Sequence, residues 1–277
     1  MELSNIKMIV SDMDGTLLNS KEEVSHLFLE QCDELQKLGI HFVAASGRQY
    51  HSIAHKLKPI KDKITIVGEN GGVIKRKNNT LLLQILDSQK VIEIIPALRN
   101  IKDTLIILCG ENKAFIESED QKFIDLFREY YGSYDIVKDL TKIPHQTPIL
   151  KIALYHPKSS EQFIYPKIQQ FENNFLLKIS GKNWLDLSDP NSNKGTAIQF
   201  LQKRMSISPE ETMVFGDYLN DLEMLHAAYF SYAMKNAHKD VKKAARYATA
   251  SNDDFGVEKV ISKVIKATFK KNPSSIY

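Results

Sequence analysis

Ile6-Lys7-Met8-Ile9-Val10-Ser11-Asp12-Met13-Asp14-Gly15-Thr16 carries an apolar run straight into two aspartates, a glycine and a threonine. Some two hundred residues on, Thr212-Met213-Val214-Phe215 leads in the same way into Gly216-Asp217-Tyr218-Leu219-Asn220-Asp221. Each apolar run reads as a buried strand, so each cluster puts carboxylates where a strand ends. Like charges in a tight turn repel and have little structural use unless a cation or an incoming electrophile compensates them. The pair of clusters reads as a metal site that handles phosphate.

Outward from the first cluster, Val24, Leu27, Phe28, Leu35 and Leu38 recur at helical spacing until Gly39 stops them, and Ile40 to Ala45 is the next strand. A helix over Gln49 to Leu57, closed by Pro59, leads to a strand at Ile64 to Val67 and the turn-rich Gly68-Glu69-Asn70-Gly71-Gly72. This βαβαβ order predicts a parallel sheet. The rhythm then breaks: Val73, Ile74 and Leu81 to Gln84 flank a hairpin-like turn at Lys77-Asn78-Asn79-Thr80. From Leu86 to about Trp184, helical patterns at Val91 to Leu98, Phe123 to Tyr130 and Phe163 to Phe171 alternate with strand-like runs at Leu105 to Leu108, Ile149 to Tyr155, Leu176 to Ser180 and Trp184 to Leu187. The βα rhythm resumes with a helix over Lys194 to Met205, a strand at Thr212 to Phe215, a helix over Asp221 to Ala228, a strand at Phe230 to Met234 and a helix over Lys239 to Arg246. A last helix spans Val257 to Phe269, with a frayed tail at Pro273. The expectation is an α/β protein: a doubly wound, mostly parallel sheet built from residues 1–84 and 186–277, with an α+β insertion at 85–185. In such sheets ligands bind beyond the carboxyl ends of the strands, where Asp12, Ser46 and Asp217 all fall.

At 277 residues, 43% hydrophobic and 26% charged, the chain is long enough for a sizeable core and ordinary enough to exclude disorder. The 37 basic against 34 acidic residues are too even for a nucleic-acid partner. No apolar run approaches the ~18 residues a membrane span needs. The two cysteines, Cys32 and Cys109, lie in apolar stretches and read as reduced buried thiols. With a start that goes directly into a strand pattern, they point to the cytoplasm. Oligomeric state is not legible.

Asp12, Asp14 and the remote Asp217 supply the oxygen ligands that a hard divalent ion such as Mg²⁺ takes alongside waters and substrate phosphate. On strand geometry, Asp12 and Asp14, two positions apart, point to one side. A turn followed by a helix cap is the structural alternative for Asp-Gly-Thr; a strand before it and a second acidic cluster downstream argue against that alternative. No EF-hand loop follows, and Lys194-Gly195-Thr196 lacks the glycine-rich cradle of a P-loop. Ser46 and Gly47 open a helix where free amides and a hydroxyl can hold an anion, although a plain serine cap would look the same. Asp189 to Asn193 form a turn that places Lys194 in the first turn of a helix, where a cation opposes the dipole and calls for an anionic partner such as a phosphoryl group. Asn220 can aim an amide at phosphate, and Asp221 a carboxylate at the water around a metal or at Lys194. The histidines show no spacing suited to zinc.

These four pieces, in this order, resemble the haloacid dehalogenase superfamily of phosphohydrolases and its Cof-type branch. Asp12-Met13-Asp14-Gly15-Thr16, Ser46, Lys194 and Gly216-Asp217 through Asn220-Asp221 match its four motifs. Asp14 to Leu18, Ser46 to Arg48, Glu69-Asn70-Gly71, Met234-Lys235-Asn236-Ala237, and Ser251, Asn252 and Gly256 match the branch. Ser46 stands for the commoner threonine and Gly72 for a frequent alanine, and neither disturbs the chemistry. The resemblance implies a Rossmann-like core with the insertion as a cap, and a Mg²⁺-dependent phosphohydrolase of small phosphorylated metabolites such as sugar phosphates. Asp12 would be the nucleophile that forms an aspartyl-phosphate, and Asp14 the general acid and base. The side chains of Asp12 and Asp217 and the backbone carbonyl of Asp14 would hold Mg²⁺. The Met13 amide, Ser46, Gly47, Lys194 and Asn220 would hold phosphate. A phosphomutase or phosphotransferase using the same intermediate is the alternative in chemistry. A phosphate-sensing module without turnover is the alternative in kind, against which the general base at Asp14 argues.

Overall fold

The computed structural model describes residues 2–77, 79–128 and 131–271. Its first sheet starts with β1 (Met8–Asp12), buried along its whole length, as a central strand covered on both faces must be. α1 (His26–Lys37) returns the chain to β2 (His41–Ala45), and α2 (Tyr50–Lys56) to β3 (Thr65–Gly68). These three strands pair in parallel, and β4 (Val73–Arg76) and β5 (Asn79–Leu83) add an antiparallel hairpin at the edge. After an excursion, α7 (Lys194–Met205), β12 (Thr212–Gly216), α8 (Leu222–His226), β13 (Phe230–Ala233), α9 (Lys239–Ala244), β14 (Tyr247–Ala248) and α10 (Gly256–Lys271) complete it. The strand order is β14-β13-β12-β1-β2-β3-β4-β5. β12 therefore lies beside β1, and the winding reverses between them; loops leaving the two strands diverge and open a crevice.

The excursion runs through α3 (Ser88–Arg99), β6 (Leu105–Gly110), β7 (Ala114–Ile116), α4 (Gln121–Arg128), β8 (Tyr134–Ile136), β9 (Ile149–Tyr155), α5 (Ser160–Phe163), α6 (Tyr165–Ile168), β10 (Leu176–Ile179) and β11 (Trp184–Ser188). Its strands form a second sheet, β10-β11-β9-β6-β7-β8, antiparallel except for the last pair. Alternation divides its faces. Ile152, Leu154, Leu185 and Leu187 pack into one apolar cluster with α3 and the short helices, while Ile107, Cys109 and Ala153 join α4 on the other face. Part of that second face looks onto the crevice of the first sheet.

The doubly wound sheet with an α+β insertion is the architecture expected, and the differences are local. The strand read at Ile6 to Val10 runs two residues later, through Asp12. One helix over Phe163 to Phe171 gives way to α5, α6 and a 3₁₀ turn, because Pro166 has no N–H to give to the preceding turn and its ring clashes with the carbonyl four residues back. β11 stays in the second sheet through Ser188, so the return to the first sheet follows that strand rather than residue 186. The helix end at Tyr130 and the tail at Pro273 lie outside the described residues.

His41, at the head of β2, is 8% exposed, with Nε2 2.8 Å from Thr65 Oγ1. Burial, aided by Arg76, pushes its pKa from the ordinary 6.5 down to about 4. The unfolded chain therefore takes up this proton first as the pH falls. The stability held by neutral His41 is complete above the unfolded value and is lost between there and about 4, with a ceiling of about 3 kcal/mol. We expect His41→Gln to lose less stability than the natural chain between pH 7.5 and 4.5, read as urea midpoints. Parallel losses would mean that His41 is protonated in the folded state.

Candidate active site

Parallel pairing of β1 with β12, Ser11 opposite Phe215, delivers the residues beyond these strands side by side. Carboxylate oxygens of Asp12, Asp217 and Asp221 lie within 4.8 Å of one another. The loop after β1 closes on this cluster: Leu18 N–H returns to the Met13 carbonyl at 2.8 Å, and Thr16 Oγ1 donates to Asp217 Oδ1 at 3.1 Å. Gly15 makes the closure possible. Its φ is +77°, and a Cβ there would sit 2.4 Å from Asp217 Oδ2.

Asn193 caps α7, accepting from Thr196 N–H, and sends Lys194 inward with no exposed side-chain surface. Gly71, at φ +103°, permits the approach, since a Cβ would meet the Asn193 carbonyl oxygen at 2.4 Å. Lys194 Nζ donates to Asp12 Oδ1 at 2.6 Å and to Asp221 Oδ1 at 2.7 Å. Asp221 Oδ2 accepts from the Asp217 and Tyr218 amides at 2.9 and 3.1 Å, so both of its oxygens are engaged. Asp221 thus anchors the lysine and shapes the loop, whereas Asp12 and Asp217 open onto the cavity above.

Fully ionised, three carboxylates against one ammonium would leave two negative charges in a buried place. Burial drives the Asp12 pKa well up, with Lys194 pulling the other way and Asp221, Asp217 and Asp14 adding to the rise. Burial and Asp221 raise Asp217 to about 7. An all-oxygen donor set with this excess charge fits a hard divalent cation such as Mg²⁺ and has no soft ligand to prefer another.

The cavity is also lined by Asp14, Ser46, Gly47 and Asn220, whereas Met13 and Lys194, predicted for phosphate as well, are buried beneath it and do not line it. The Asp14 carboxylate does not join the cluster. β1 stops at Asp12, the alternation of a strand no longer applies, and Asp14 turns to Arg48, which grips it with Nε at 2.8 Å and a second guanidinium nitrogen at 2.6 Å. Met13 sends its side chain into the core under the loop. The insertion that carries the second sheet contributes Lys151, Asp186, Tyr131 and Trp184 to the wall. None of these four stood out from the sequence. The available signal was a lone charge at an alternate position of an apolar strand, Lys151 in Ile149 to Tyr155 and Asp186 in Trp184 to Ser188.

The sequence matches the haloacid dehalogenase-like hydrolase family over residues 9–261. The chain belongs to that family. An Escherichia coli K12 relative, the 5-amino-6-(5-phospho-D-ribitylamino)uracil phosphatase YbjI, is 32% identical over 95% of this chain and 97% of its own. A Bacillus subtilis 168 phosphatase of the same description, YcsE, is 26% identical over 93% and 95%. Among solved structures, SMU.1108c from Streptococcus mutans UA159 superposes with a TM-score of 0.88 at 31% identity, covering 94% of this chain and 99% of its own. As a Cof-type haloacid dehalogenase-like hydrolase, this chain is a phosphatase.

Proposed function

We propose that this phosphatase releases phosphate from small polyhydroxylated metabolites, sugar and sugar-alcohol phosphates, through an aspartyl-phosphate on Asp12 in a Mg²⁺-dependent reaction. The observation that carries the reading is Asp12 at the floor of a cavity, held by Lys194 and flanked by Asp217, under walls bearing Ser46, Gly47 and Asn220. Asp12 attacks phosphorus while the ester P–O bond breaks, and Asp14, released from Arg48 and protonated when substrate is bound, gives its proton to the departing oxygen. A water then attacks the acyl phosphate, Asp14 takes its proton, and phosphate leaves with the Asp12 carboxylate restored. Lys194, Ser46, the amides around Met13 and Gly47, and Asn220 balance charge on the phosphoryl oxygens. Mg²⁺, held by Asp12, Asp217 and the Asp14 carbonyl, would screen the anionic ester from the anionic nucleophile.

The second sheet serves as the cap over this site. Its loop residues Lys182 and Asn183 form, with Asn19, Ser20 and Asn252 of the first sheet's loops, a polar cleft beside Asp14 that suits a hydroxylated chain. The relatives YbjI and YcsE are both named for an ester on a ribityl chain, which supports the same substrate class here. Among the described residues, no helix is long and apolar enough to cross a membrane. The two buried free thiols, Cys32 and Cys109, fit a reducing compartment, the cytoplasm.

The test is a panel of phosphate esters assayed for released phosphate with Mg²⁺ and with a chelator. It includes 5-amino-6-(5-phosphoribitylamino)uracil, ribitol and hexose phosphates, and p-nitrophenyl phosphate. We expect kcat/KM for the best polyol phosphate to exceed the aryl ester by at least about 10-fold, since hydroxyl contacts made in the transition state discriminate strongly, and no release in chelator. Equal rates across the panel would remove the polyol reading, release in chelator the metal, and an isomeric phosphate as product would favour the mutase alternative.

A further inference from the structure

Lys151 and Asp186 are 1% and 3% exposed on the face of the second sheet that looks onto the crevice. Lys151 Nζ donates to the Gly47 carbonyl at 2.7 Å, and lies 2.8 Å from Glu69 Oε2 and 3.4 Å from Asp186 Oδ2. A buried lysine between carboxylates is commonly only a matched pair. Here a hydrogen bond as short as the Glu69 contact also goes to a loop carbonyl of the first sheet. That carbonyl belongs to the same peptide group as the Arg48 N–H, which donates to Ser46 Oγ at 3.1 Å. With this lone pair engaged, the Ser46 hydrogen is left for the cavity that Ser46 lines.

Asp186 does the same on the other side. Its Oδ2 accepts from Asn70 Nδ2 at 2.5 Å, and Asn70 Oδ1 accepts from Asn220 Nδ2 at 2.9 Å. A carboxylate can only accept, so Asp186 dictates which way the Asn70 amide faces. Asn70 in turn takes one N–H of Asn220 and leaves the other for the cavity.

We propose that Lys151 and Asp186 are positioning residues which, from the second sheet, aim the Ser46 hydroxyl and the Asn220 amide at the phosphoryl group. The inference rests on the reading of Ser46 and Asn220 as phosphate-binding groups. It means that these donors are set only while the two sheets are in contact, which links the fit of the cap to the competence of the phosphate site.

The experiment measures the inhibition constant of inorganic phosphate in Mg²⁺, with kcat and KM, for the natural chain, Ser46→Ala, Lys151→Met and the double variant. Lys151→Met is expected to raise the phosphate constant between about 10- and 100-fold, as misplaced binding groups do. The double variant should be no worse than Ser46→Ala, because a group acting through Ser46 has nothing left to aim. Lys151→Arg should recover part of the loss. A loss that adds to that of Ser46→Ala would make Lys151 a structural prop and overturn the proposal. So would an unchanged phosphate constant with a raised KM, which would put Lys151 against the leaving group.

Lys151→Met leaves Glu69 and Asp186 without a cation. Should that variant not fold, Asp186→Leu keeps the Lys151–Glu69 pair neutral, and the same 10- to 100-fold loss, non-additive with Asn220→Ala, is expected. If neither Ser46→Ala nor Asn220→Ala moves the phosphate constant, the phosphate reading itself fails, and the proposal with it.

Discussion

Asp12→Asn is expected to stop phosphate release, with kcat down on the order of 10⁴-fold or more, as happens when the nucleophile of a covalent mechanism is removed. The amide cannot form the acyl phosphate, yet it has nearly the same shape and can still accept from Lys194 Nζ, now 2.6 Å from Oδ1. Stability should respond in the opposite direction. Ionised Asp12 is penalised first by burial and then by Asp221, Asp217 and Asp14, with Lys194 the compensating charge. Replacing it by a neutral group removes one carboxylate that burial and its acidic neighbours penalise, and leaves Asp217 and Asp221 against Lys194. The variant should therefore melt at the same temperature as the natural chain or higher when both are in chelator. An inactive variant that is also unfolded would say nothing about the nucleophile, so phosphate release and thermal unfolding are measured together. Turnover on p-nitrophenyl phosphate within a factor of ten of the natural rate would show that some other group attacks phosphorus.

The parts of this site that could be read from the chain are those whose position follows from where a strand ends. Asp12, Ser46 and Asp217 each sit at a carboxyl end, and parallel winding leaves no other edge for them. Lys194 was legible because a lysine in the first turn of α7 opposes the dipole and calls for an anion. The structure supplies Asp12 and Asp221 as its partners, so the anions it calls for are carboxylates. The Asp14–Arg48 grip was not legible, because it depends on a turn at Asp12 that ends the alternation of β1. Lys151 and Asp186 were hidden for another reason. Their roles come from how the second sheet faces the first, and spacing along the chain carries no information about that meeting. Short elements escaped as well: β7, β8 and β14 have three, three and two residues, too few to show a period.

Lys194→Met should strike fold and chemistry together, and its dependence on Mg²⁺ tests the charge balance of the whole cluster. Burial works against the Lys194 ammonium, but Asp12 and Asp221 more than offset it and hold its pKa above that of an ordinary lysine. A cation whose folded pKa is raised gives stability that is complete below the unfolded value and lost only as the pH climbs through the folded one. Its contribution is therefore intact throughout any neutral assay. Methionine fills the space and removes the charge, leaving Asp12, Asp217 and Asp221 with no cation. Breaking a buried pair in this way costs about 3 to 5 kcal/mol, and for a chain of this size we expect the melting temperature in chelator to fall by roughly 10 °C. Mg²⁺ binds only the assembled carboxylates, so it should restore a larger share of stability to the variant than it adds to the natural chain. Catalysis should not recover in the same way. In the proposed mechanism Lys194 would be one of the groups that meet the charge on the phosphoryl oxygens, and losing such a group lowers kcat by about 10²- to 10³-fold even when the fold is restored. A variant as stable as the natural chain in chelator would mean that Asp12 and Asp217, whose pKa values burial already raises, take up protons once the lysine is gone, and that Lys194 is not what holds the cluster together.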